Sequence, residues 1–204
     1  MLEPHNSYRL SNDALGVMGG SFDPPHLGHL GIARSFLRSD LIDRLAVIPV
    51  YVPPHKSNDL TAYDIRLKMT RAAFGGIDRI TVSDVESRLG VPSYTLNTIR
   101  FLIEKNVAPD IRLCIGSDSL AEFTTWYRYK DILRNCRLVV AERPDFSRPD
   151  LPGEFSGRVT FIEHNPLDVS ATEIRRMAAE GVLSSDHVPE GVLEIITSEG
   201  LYRD

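Results

Sequence analysis

The chain has few of the features that mark secreted and membrane proteins. It contains only two cysteines in 204 residues, too few for a disulfide framework, and both lie in apolar segments. No apolar stretch approaches the roughly 20 residues of a membrane-spanning helix, and the polar N-terminus lacks the apolar core of a signal peptide. We therefore expect a cytoplasmic protein without membrane contact, in which Cys114 and Cys136 are reduced and buried.

An excess of positive charge is also missing. The formal net charge is -5, whereas proteins that bind the nucleic-acid backbone need clustered positive charge, so we expect no nucleic-acid partner. Lysine is scarce as well, because only four of the 23 basic residues are Lys and the others are Arg. The planar guanidinium group suits recognition of phosphate and carboxylate. The composition is therefore compatible with small anionic ligands.

Short apolar runs alternate with segments of helical periodicity along most of the chain. With 204 residues, of which 42% are hydrophobic, the chain can bury the core of one domain. The runs are apolar throughout, which indicates strands buried on both faces, and the strand–helix–strand order indicates a parallel sheet. The prediction is an α/β fold with a doubly wound parallel sheet. The predicted strands are 15–18, 45–48, 80–85, 111–115, 138–141 and 159–162, and the predicted helices are 30–41, 63–74 and 95–103.

The last part of the chain has a different pattern. Two helical segments, 173–180 and 188–197, follow each other without a strand between them. We expect them to form a small helical cap that packs on the edge of the sheet. The predicted organisation is an N-terminal extension (residues 1–13), an α/β core (residues 14–168) and a C-terminal helical subdomain that completes the phosphate site (residues 169–204).

The segment after the first predicted strand carries the strongest local signal. In a doubly wound sheet, ligands bind at the carboxyl ends of the strands, and here the sequence GGSFDPPHLGH, residues 19–29, joins the first strand to the first helix. Glycines let backbone N–H groups approach a phosphate, and the helix N-terminus adds a favourable dipole. His26 and His29 can both donate to phosphate oxygens. Transfer of a group between two phosphates needs positioning and charge stabilisation rather than a protein nucleophile.

Other interpretations of this segment have less support. The chain has neither the GxxxxGK[ST] pattern of a P-loop nor the GxGxxG pattern of a dinucleotide site. A zinc site on His26 and His29 lacks further ligands, because both cysteines lie in apolar strand segments, so we expect no protein metal site. A purely structural role for the histidines is disfavoured by the glycine pair and the helix start.

Residues 19–29 resemble the HxGH signature of the nucleotidylyltransferase superfamily. The chain from about residue 15 to residue 203 resembles one branch of it, the bacterial nicotinate-nucleotide adenylyltransferases. Each matching piece is weak by itself, but their order along the chain is specific. The pieces are PPHK (53–56), PSYT (92–95), GSDSL (116–120), TWY (125–127), RP (143–144), VSATEIR (169–175) and GLYR (200–203).

The resemblance implies an enzyme of NAD biosynthesis with a Rossmann-like nucleotidylyltransferase fold. It would transfer the adenylyl group of ATP to nicotinate mononucleotide by direct in-line attack, giving nicotinate adenine dinucleotide and pyrophosphate. Mg²⁺ would be carried by ATP, in keeping with the oxygen ligands that this hard cation prefers. ATP and nicotinate mononucleotide are the expected partners, and the sequence leaves open whether the chain is a monomer or a homo-oligomer.

The resemblance also assigns residues to ATP. His26, His29 and Arg175 are the expected catalytic residues, which would hold the ATP phosphates and stabilise the charge of the transition state. Asp118 would contact the ribose, although it could also serve as a helix N-cap, and Ser170 or Thr172 could cap the first C-terminal helix. The expected ATP-binding residues are Gly19, Gly20, Ser21, Phe22, His26, His29, Gly116, Asp118, Ser170, Thr172 and Arg175.

A second set is assigned to nicotinate mononucleotide. The indole of Trp126 would stack on the pyridine ring, and N–H groups near Trp126 and Thr95 would bind its carboxylate. An amide facing these donors would leave them unpaired, at about 1–3 kcal/mol per buried group, which favours the acid. The chain departs from the family pattern at Val50-Tyr51 (usually Asn), Asp145 (usually Gly) and Ala171 (commonly Ser). The expected contacts are Lys56, Tyr94, Thr95, Trp126, Tyr127 and Arg143.

Two other functions stay open. One is an adenylyltransferase of the same superfamily that prefers nicotinamide mononucleotide or pantetheine phosphate. The PSYT and TWY segments argue against the pantetheine enzyme, whereas the choice between acid and amide depends on backbone groups. The other function is a nucleotide sensor without catalysis, against which the complete set of His26, His29 and Arg175 argues.

Overall fold

A single six-stranded sheet forms the centre of the molecule. The computed structural model describes residues 13–54, 60–144 and 146–203. The strands are β1 (Ala14–Gly20), β2 (Arg44–Pro49), β3 (Ile80–Val82), β4 (Asp110–Gly116), β5 (Arg137–Glu142) and β6 (Val159–Glu163). Their order in the sheet is β3-β2-β1-β4-β5-β6, and all neighbouring pairs are parallel. The predicted doubly wound α/β fold is confirmed.

Helices cover both faces of this sheet. In the described ranges they are α1 (Leu27–Arg38), α2 (Tyr63–Phe74), α3 (Thr95–Glu104), α4 (Ser117–Ala121), α5 (Tyr129–Asn135), α6 (Ala171–Ala179) and α7 (Glu190–Ser198). Successive residues of β1 enter different cores, because Val17 packs with α3 and α5 whereas Met18 packs with α1 and α2. This explains why successive residues in the middle of β1 are apolar.

The C-terminal helices belong to the face formed by α1 and α2. Ile174 of α6 and Val192 of α7 are fully buried in the same core as Phe36 and Phe74, and α7 packs along α2. Helix α2 packs on β2 and on the edge strand β3, so α7 lies on the helix that covers this edge of the sheet. The periodicity of α6 and α7 defined two amphipathic helices, but the surface that an apolar stripe covers is decided by tertiary packing.

All predicted strands and helices occur within three residues of their predicted ends, but the third strand is shorter than predicted and two short helices were not predicted. The strand predicted at residues 80–85 ends at Val82, because the Ser83 hydroxyl accepts a hydrogen bond from the Val85 N–H and the chain turns into a short 3-10 helix, Val85–Arg88. Helices α4 and α5 were not predicted, since five and seven residues are too few to show helical periodicity.

The two cysteines are free and buried, as predicted. Burial raises the pKa of the Cys136 thiol to about 12 and that of Cys114 still further, so both thiols are unreactive at neutral pH. No helix in the described ranges is long and apolar enough to cross a membrane.

The direction of strand addition reverses between β1 and β4. The chain first adds β2 and β3 on one side of β1 and then adds β4, β5 and β6 on the other side. The carboxyl ends of β1 and β4 border the crevice where ligands bind in sheets of this kind. Gly20 ends β1 and Gly116 ends β4, so the two predicted glycine segments lie on the two sides of this crevice.

Candidate active site

The loop between β1 and α1, residues 21–26, is shaped by Phe22. Its backbone has a positive φ of 47°, and its buried ring packs edge-on against His29 and Phe74 at 5.1 and 5.9 Å between ring centroids. A Cβ at Gly20 would lie 3.0 Å from this ring, which explains the second glycine of the pair. The Phe22 side chain is therefore part of the core, and only its backbone can contact a ligand. Gly19 is exposed at the end of β1.

The two predicted histidines form one unit at the start of α1. His26 is the N-cap residue and His29 lies in the first turn, and their ring centroids are 3.7 Å apart. The His26 backbone N–H donates to Nδ1 of His29 at 3.2 Å. Because Nδ1 of His29 accepts this bond, the neutral ring carries its proton on Nε2. His29 can therefore offer an N–H donor from Nε2 to a ligand.

Both imidazoles are neutral at pH 7. Burial lowers the pKa of His26 from the usual 6.5 to about 4. Burial, with a smaller contribution from the neighbouring His26, also holds the pKa of His29 well below its usual value. Among the described residues, Nδ1 of His26 has no hydrogen-bond partner. The pair is thus built to donate hydrogen bonds rather than to supply permanent positive charge.

Gly28, the glycine of the HxGH signature, makes room for the first histidine. A Cβ at this position would lie 3.0 Å from Nδ1 and Cε1 of His26 and 3.1 Å from Cγ1 of Val169. Both contacts are tighter than ordinary packing allows, so any side chain at Gly28 would move the imidazole or the segment before α6.

We expect the protein to lose stability as the pH falls from about 6.5 to 4. The unfolded chain protonates His26 near pH 6.5, whereas the folded chain does so only near pH 4, so protons bind the unfolded state first and the free energy of unfolding decreases with decreasing pH in this window. The full shift corresponds to a loss of about 3 kcal/mol. About 2 kcal/mol of this loss falls between pH 7 and pH 5, where urea unfolding measures it, and His26→Gln should show a smaller pH dependence. An unchanged pH dependence in the variant would mean that other groups cause the effect.

Asp23 connects the loop after β1 to two distant parts of the chain. Its carboxylate accepts hydrogen bonds from the Thr61 N–H at 3.1 Å and from the Tyr202 hydroxyl at 2.7 Å. Its carbonyl accepts a hydrogen bond from Nη1 of Arg175 at 2.8 Å. Burial raises the pKa of Tyr202, with a smaller contribution from Asp23, so the phenol stays protonated as the donor. These contacts agree with a role for Asp23 in shaping the turn.

The start of α6 brings Arg175 to the same place. Ser170 is the N-cap residue, and its hydroxyl accepts a hydrogen bond from the Glu173 N–H at 3.2 Å. Thr172 is not the cap, because its hydroxyl accepts a hydrogen bond from Nη2 of Arg175 at 3.3 Å. Arg176 is exposed and pairs with Glu173. The structure therefore separates a guanidinium group directed at the loop after β1 from one that belongs to the helix surface.

On the other side of the crevice, Asp118 and Arg143 form an ion pair. Oδ2 of Asp118 and Nη2 of Arg143 are 3.0 Å apart, and the two side chains are 73% and 58% exposed. An exposed pair of this kind contributes little to stability, so both groups are open to ligands. Gly116, not Asp118, is the N-cap residue of α4. The interpretation of Asp118 as a helix cap is wrong, since it lies in the first turn.

Three of the residues predicted to bind the pyridine ring, Tyr94, Thr95 and Tyr127, lie around the start of α3. Tyr94 is the N-cap residue of α3, and its ring stacks on that of Tyr127 with 4.2 Å between centroids. Trp126 is half-buried and packs on the buried Phe123 ring at 5.1 Å. The N–H groups of Thr95 and the residue after it have no acceptor within the helix, which makes this helix end suitable for a carboxylate.

A cavity of about 600 Å³ lies beside the segment that precedes α6. It is continuous with the start of α1, because the His187 carbonyl accepts a hydrogen bond from the Leu27 N–H at 3.0 Å and Val169 lies against Gly28. The sequence analysis missed Met177 and His187, which lie outside the matched motifs. The cavity is lined by Arg143, Pro166, Leu167, Asp168, Val169, Ser170, Glu173, Met177 and His187.

Two positions of interest lie outside the described residues, Lys56 and Asp145. Within the described ranges, no group of three or more His, Cys, Asp or Glu side chains is placed to hold a metal ion. The hydrogen-bond donors of the site are neutral imidazoles, guanidinium groups, hydroxyls and helix N-termini, and the Asp118 carboxylate is an acceptor beside them. Such a set of donors suits phosphates and carboxylates.

A parallel sheet with this anion site at its switch point is typical of a nucleotide-binding transferase. The cytidylyltransferase-like family model matches residues 17–177, and the chain is accordingly a nucleotidyltransferase. It is 35% identical to the nicotinate-nucleotide adenylyltransferase of Pseudomonas syringae pv. tomato, with 93% of each chain covered. The corresponding enzyme of Pseudomonas aeruginosa PAO1 is 34% identical, with 93% of this chain and 97% of the relative covered. The chain belongs to the nicotinate-nucleotide adenylyltransferase family.

The fold is shared with a more distant solved structure. The Plasmodium falciparum nicotinic acid mononucleotide adenylyltransferase complexed with NaAD superposes with a TM-score of 0.75 at 17% identity, over 93% of this chain and 97% of that chain. At this identity the likeness concerns the fold alone.

Proposed function

We propose that this protein transfers the adenylyl group of ATP to nicotinate mononucleotide in NAD biosynthesis, releasing pyrophosphate and forming nicotinate adenine dinucleotide. The observation that carries the residue assignment is the imidazole pair at the start of α1, which lies beside the loop that Arg175 contacts. Family membership supports the reaction class. A cytoplasmic location fits these substrates, and the chain acts as a monomer or homo-oligomer without nucleic acid.

ATP binds with its triphosphate at the start of α1 and its base in the adjoining cavity. His29 donates from Nε2 to a phosphate oxygen, His26 lies beside it, and the backbone of residues 19–22 follows the phosphate chain. Arg175 supplies the positive charge, and the N-terminus of α6 with Ser170 and Thr172 closes the other side. The cavity offers Met177 for apolar contact with the base. Asp118, in the first turn of α4, accepts a hydrogen bond from a ribose hydroxyl.

Nicotinate mononucleotide binds on the side of α3. Its ring packs against Trp126 and the stacked Tyr94 and Tyr127, and its carboxylate accepts hydrogen bonds from the start of α3 at Thr95. Arg143, with Lys56, binds its phosphate. Arg143 thus exchanges its partner Asp118 for substrate groups, which the exposure of the pair permits.

The transfer itself needs no protein nucleophile or base. A phosphate oxygen of the mononucleotide, already anionic, forms the new bond to the α-phosphorus as the bond to the bridging oxygen breaks, and pyrophosphate leaves. His26, His29 and Arg175 stabilise the charge that develops on the phosphate oxygens. Mg²⁺ arrives as part of the MgATP substrate. The imidazole and guanidinium groups around the triphosphate are not the oxygen ligands that Mg²⁺ prefers, which agrees with a metal carried by ATP.

The test is a comparison of substrates with the purified protein. We expect pyrophosphate release from MgATP to be at least about tenfold faster with nicotinate mononucleotide than with the nicotinamide form, since an amide leaves N–H donors unpaired at about 1–3 kcal/mol each. Pantetheine phosphate serves as the control and should support no turnover. Equal rates with acid and amide would contradict the specificity for the acid. No turnover with any of the three would contradict the proposed function.

A further inference from the structure

Arg66 of α2 is a buried cation whose hydrogen bonds, within the described residues, all go to backbone carbonyls, and its guanidinium carbon also lies 5.6 Å from the centroid of the Tyr63 ring. Its side chain is 2% exposed. Nε donates to the Thr61 carbonyl at 2.8 Å, Nη1 donates to the carbonyls of Ser21 and Val50 at 2.8 Å each, and Nη2 donates to that of Tyr51 at 3.3 Å. None of the carboxylates in the described ranges accepts a hydrogen bond from it. We call this set of four contacts the Arg66 junction.

Packing of α2 does not require an arginine here. An apolar side chain of similar length would fill the same space without the cost of removing a charge from water. The carboxylates of Asp23 and Glu86 lie near enough to offset part of that cost. The planar guanidinium group suits this position, because its N–H donors point in several fixed directions and reach four carbonyls at once.

The junction joins the two loops that border the two substrate sites. Ser21 opens the loop after β1, where the triphosphate binds, whereas Val50 and Tyr51 form the loop after β2. One nitrogen, Nη1, bonds to both loops at 2.8 Å. The distance between the loops is therefore held by this planar group together with the hydrogen bond from the Val50 N–H to the Gly20 carbonyl at 2.9 Å.

The loop after β2 is itself fixed to the mononucleotide side. The three N–H groups of residues 50–52 donate to Gly20, Glu86 and Ser93, and their three carbonyls accept from Arg66 (twice) and Ser93. Ser93 directly precedes Tyr94 and α3. The backbone of this segment has no free polar group to offer a substrate. Its contribution is to hold the wall of the site in place, where the family usually has an Asn side chain.

We propose that Arg66 is a positioning residue that sets the distance between the triphosphate loop and the mononucleotide wall. This inference rests on the proposed function, since it concerns the alignment of the attacking phosphate with the α-phosphorus. In-line transfer tolerates little misalignment, and a shift of about 1 Å can cost on the order of 10²-fold in rate. Arg66 touches neither substrate and acts through the carbonyls of the two loops.

The test compares Arg66→Lys and Arg66→Met with the wild type. A lysine keeps the charge but cannot reach all four carbonyls, and a methionine keeps only the packing. At temperatures where circular dichroism shows each variant fully folded, we expect kcat to fall about 10-fold in Arg66→Lys and about 100-fold in Arg66→Met, with the KM of each substrate changed less than about 3-fold. The matched control is Lys68→Met, an exposed position of the same helix, which should keep the wild-type kcat.

Each outcome bears on the proposal. A folded Arg66→Lys or Arg66→Met with a lower unfolding temperature and wild-type kcat would show a merely structural role and overturn it. Ser93→Ala keeps the test decisive if the Arg66 variants do not fold. It leaves Arg66 in place and removes only the Ser93 hydroxyl, which accepts the Val52 N–H and hydrogen-bonds Glu86, so it should lower kcat about 3-fold at unchanged KM. Wild-type kcat in Ser93→Ala would then overturn the proposal. A wild-type protein without adenylyl transfer would instead contradict the proposed function.

Discussion

His29→Ala is expected to lower kcat by about 10²–10³-fold while the protein stays folded. The substitution removes the Nε2 donor that we propose binds the triphosphate, and loss of one such donor typically has an effect of this size. It also removes the acceptor of the His26 backbone N–H, which costs about 1 kcal/mol of stability. Pyrophosphate release at saturating ATP and nicotinate mononucleotide measures the effect on kcat, and circular dichroism measures the fold.

The matched variant is His29→Asn. An asparagine amide can accept the His26 N–H and still offer an N–H donor, so this variant should keep more activity than His29→Ala. Turnover of His29→Ala within about threefold of the wild type would show that the imidazole does not act on the phosphates.

Arg175→Ala is expected to lower kcat/KM for ATP by about 100-fold. The variant loses the only cation that contacts the loop after β1 from α6, together with the hydrogen bond to the Asp23 carbonyl. A charged donor at a transferring phosphoryl group contributes several kcal/mol to the stabilisation of the transition state. The effect should appear in steady-state kinetics with ATP varied, and Arg175→Lys should lie between the wild type and Arg175→Ala.

The next residue provides the control for Arg175. Arg176 lies on the exposed surface of the same helix and pairs with Glu173 and Glu180. Arg176→Ala changes the same helix and the same net charge but should leave kcat/KM within about twofold of the wild type. Equal losses in Arg175→Ala and Arg176→Ala would indicate a nonspecific effect of charge and contradict the assignment.

The fold could be predicted from sequence where local patterns determine it. The central residues of β1, β2 and β5 are apolar because both of their faces are buried, and α2 was predicted with its observed ends, Tyr63–Phe74. The helices α4 and α5 are too short to show helical periodicity. The packing of α7 on α2 depends on contacts between residues far apart in sequence. Such packing leaves no local trace in the sequence.

The candidate site also has a part that was predictable from local sequence and a part that depends on long-range contacts. The loop after β1 was predictable because glycines, histidines and a helix start adjoin each other in sequence. The pairing of Asp118 with Arg143 and of Asp23 with Tyr202 joins residues far apart along the chain. The sequence did not indicate that Arg66 is buried, because an arginine in an amphipathic helix is usually solvated. Phe22 belongs to a matched motif, yet its ring is in the core.

The most direct test of the central claim is a crystal structure with Mg²⁺ and a non-hydrolysable ATP analogue. The account predicts triphosphate oxygens at the start of α1, with one of them within about 3.2 Å of Nε2 of His29 and the base in the cavity beside Val169 and Met177. A nucleotide bound elsewhere while the loop after β1 stays empty, or both imidazoles turned into the protein interior, would contradict the account.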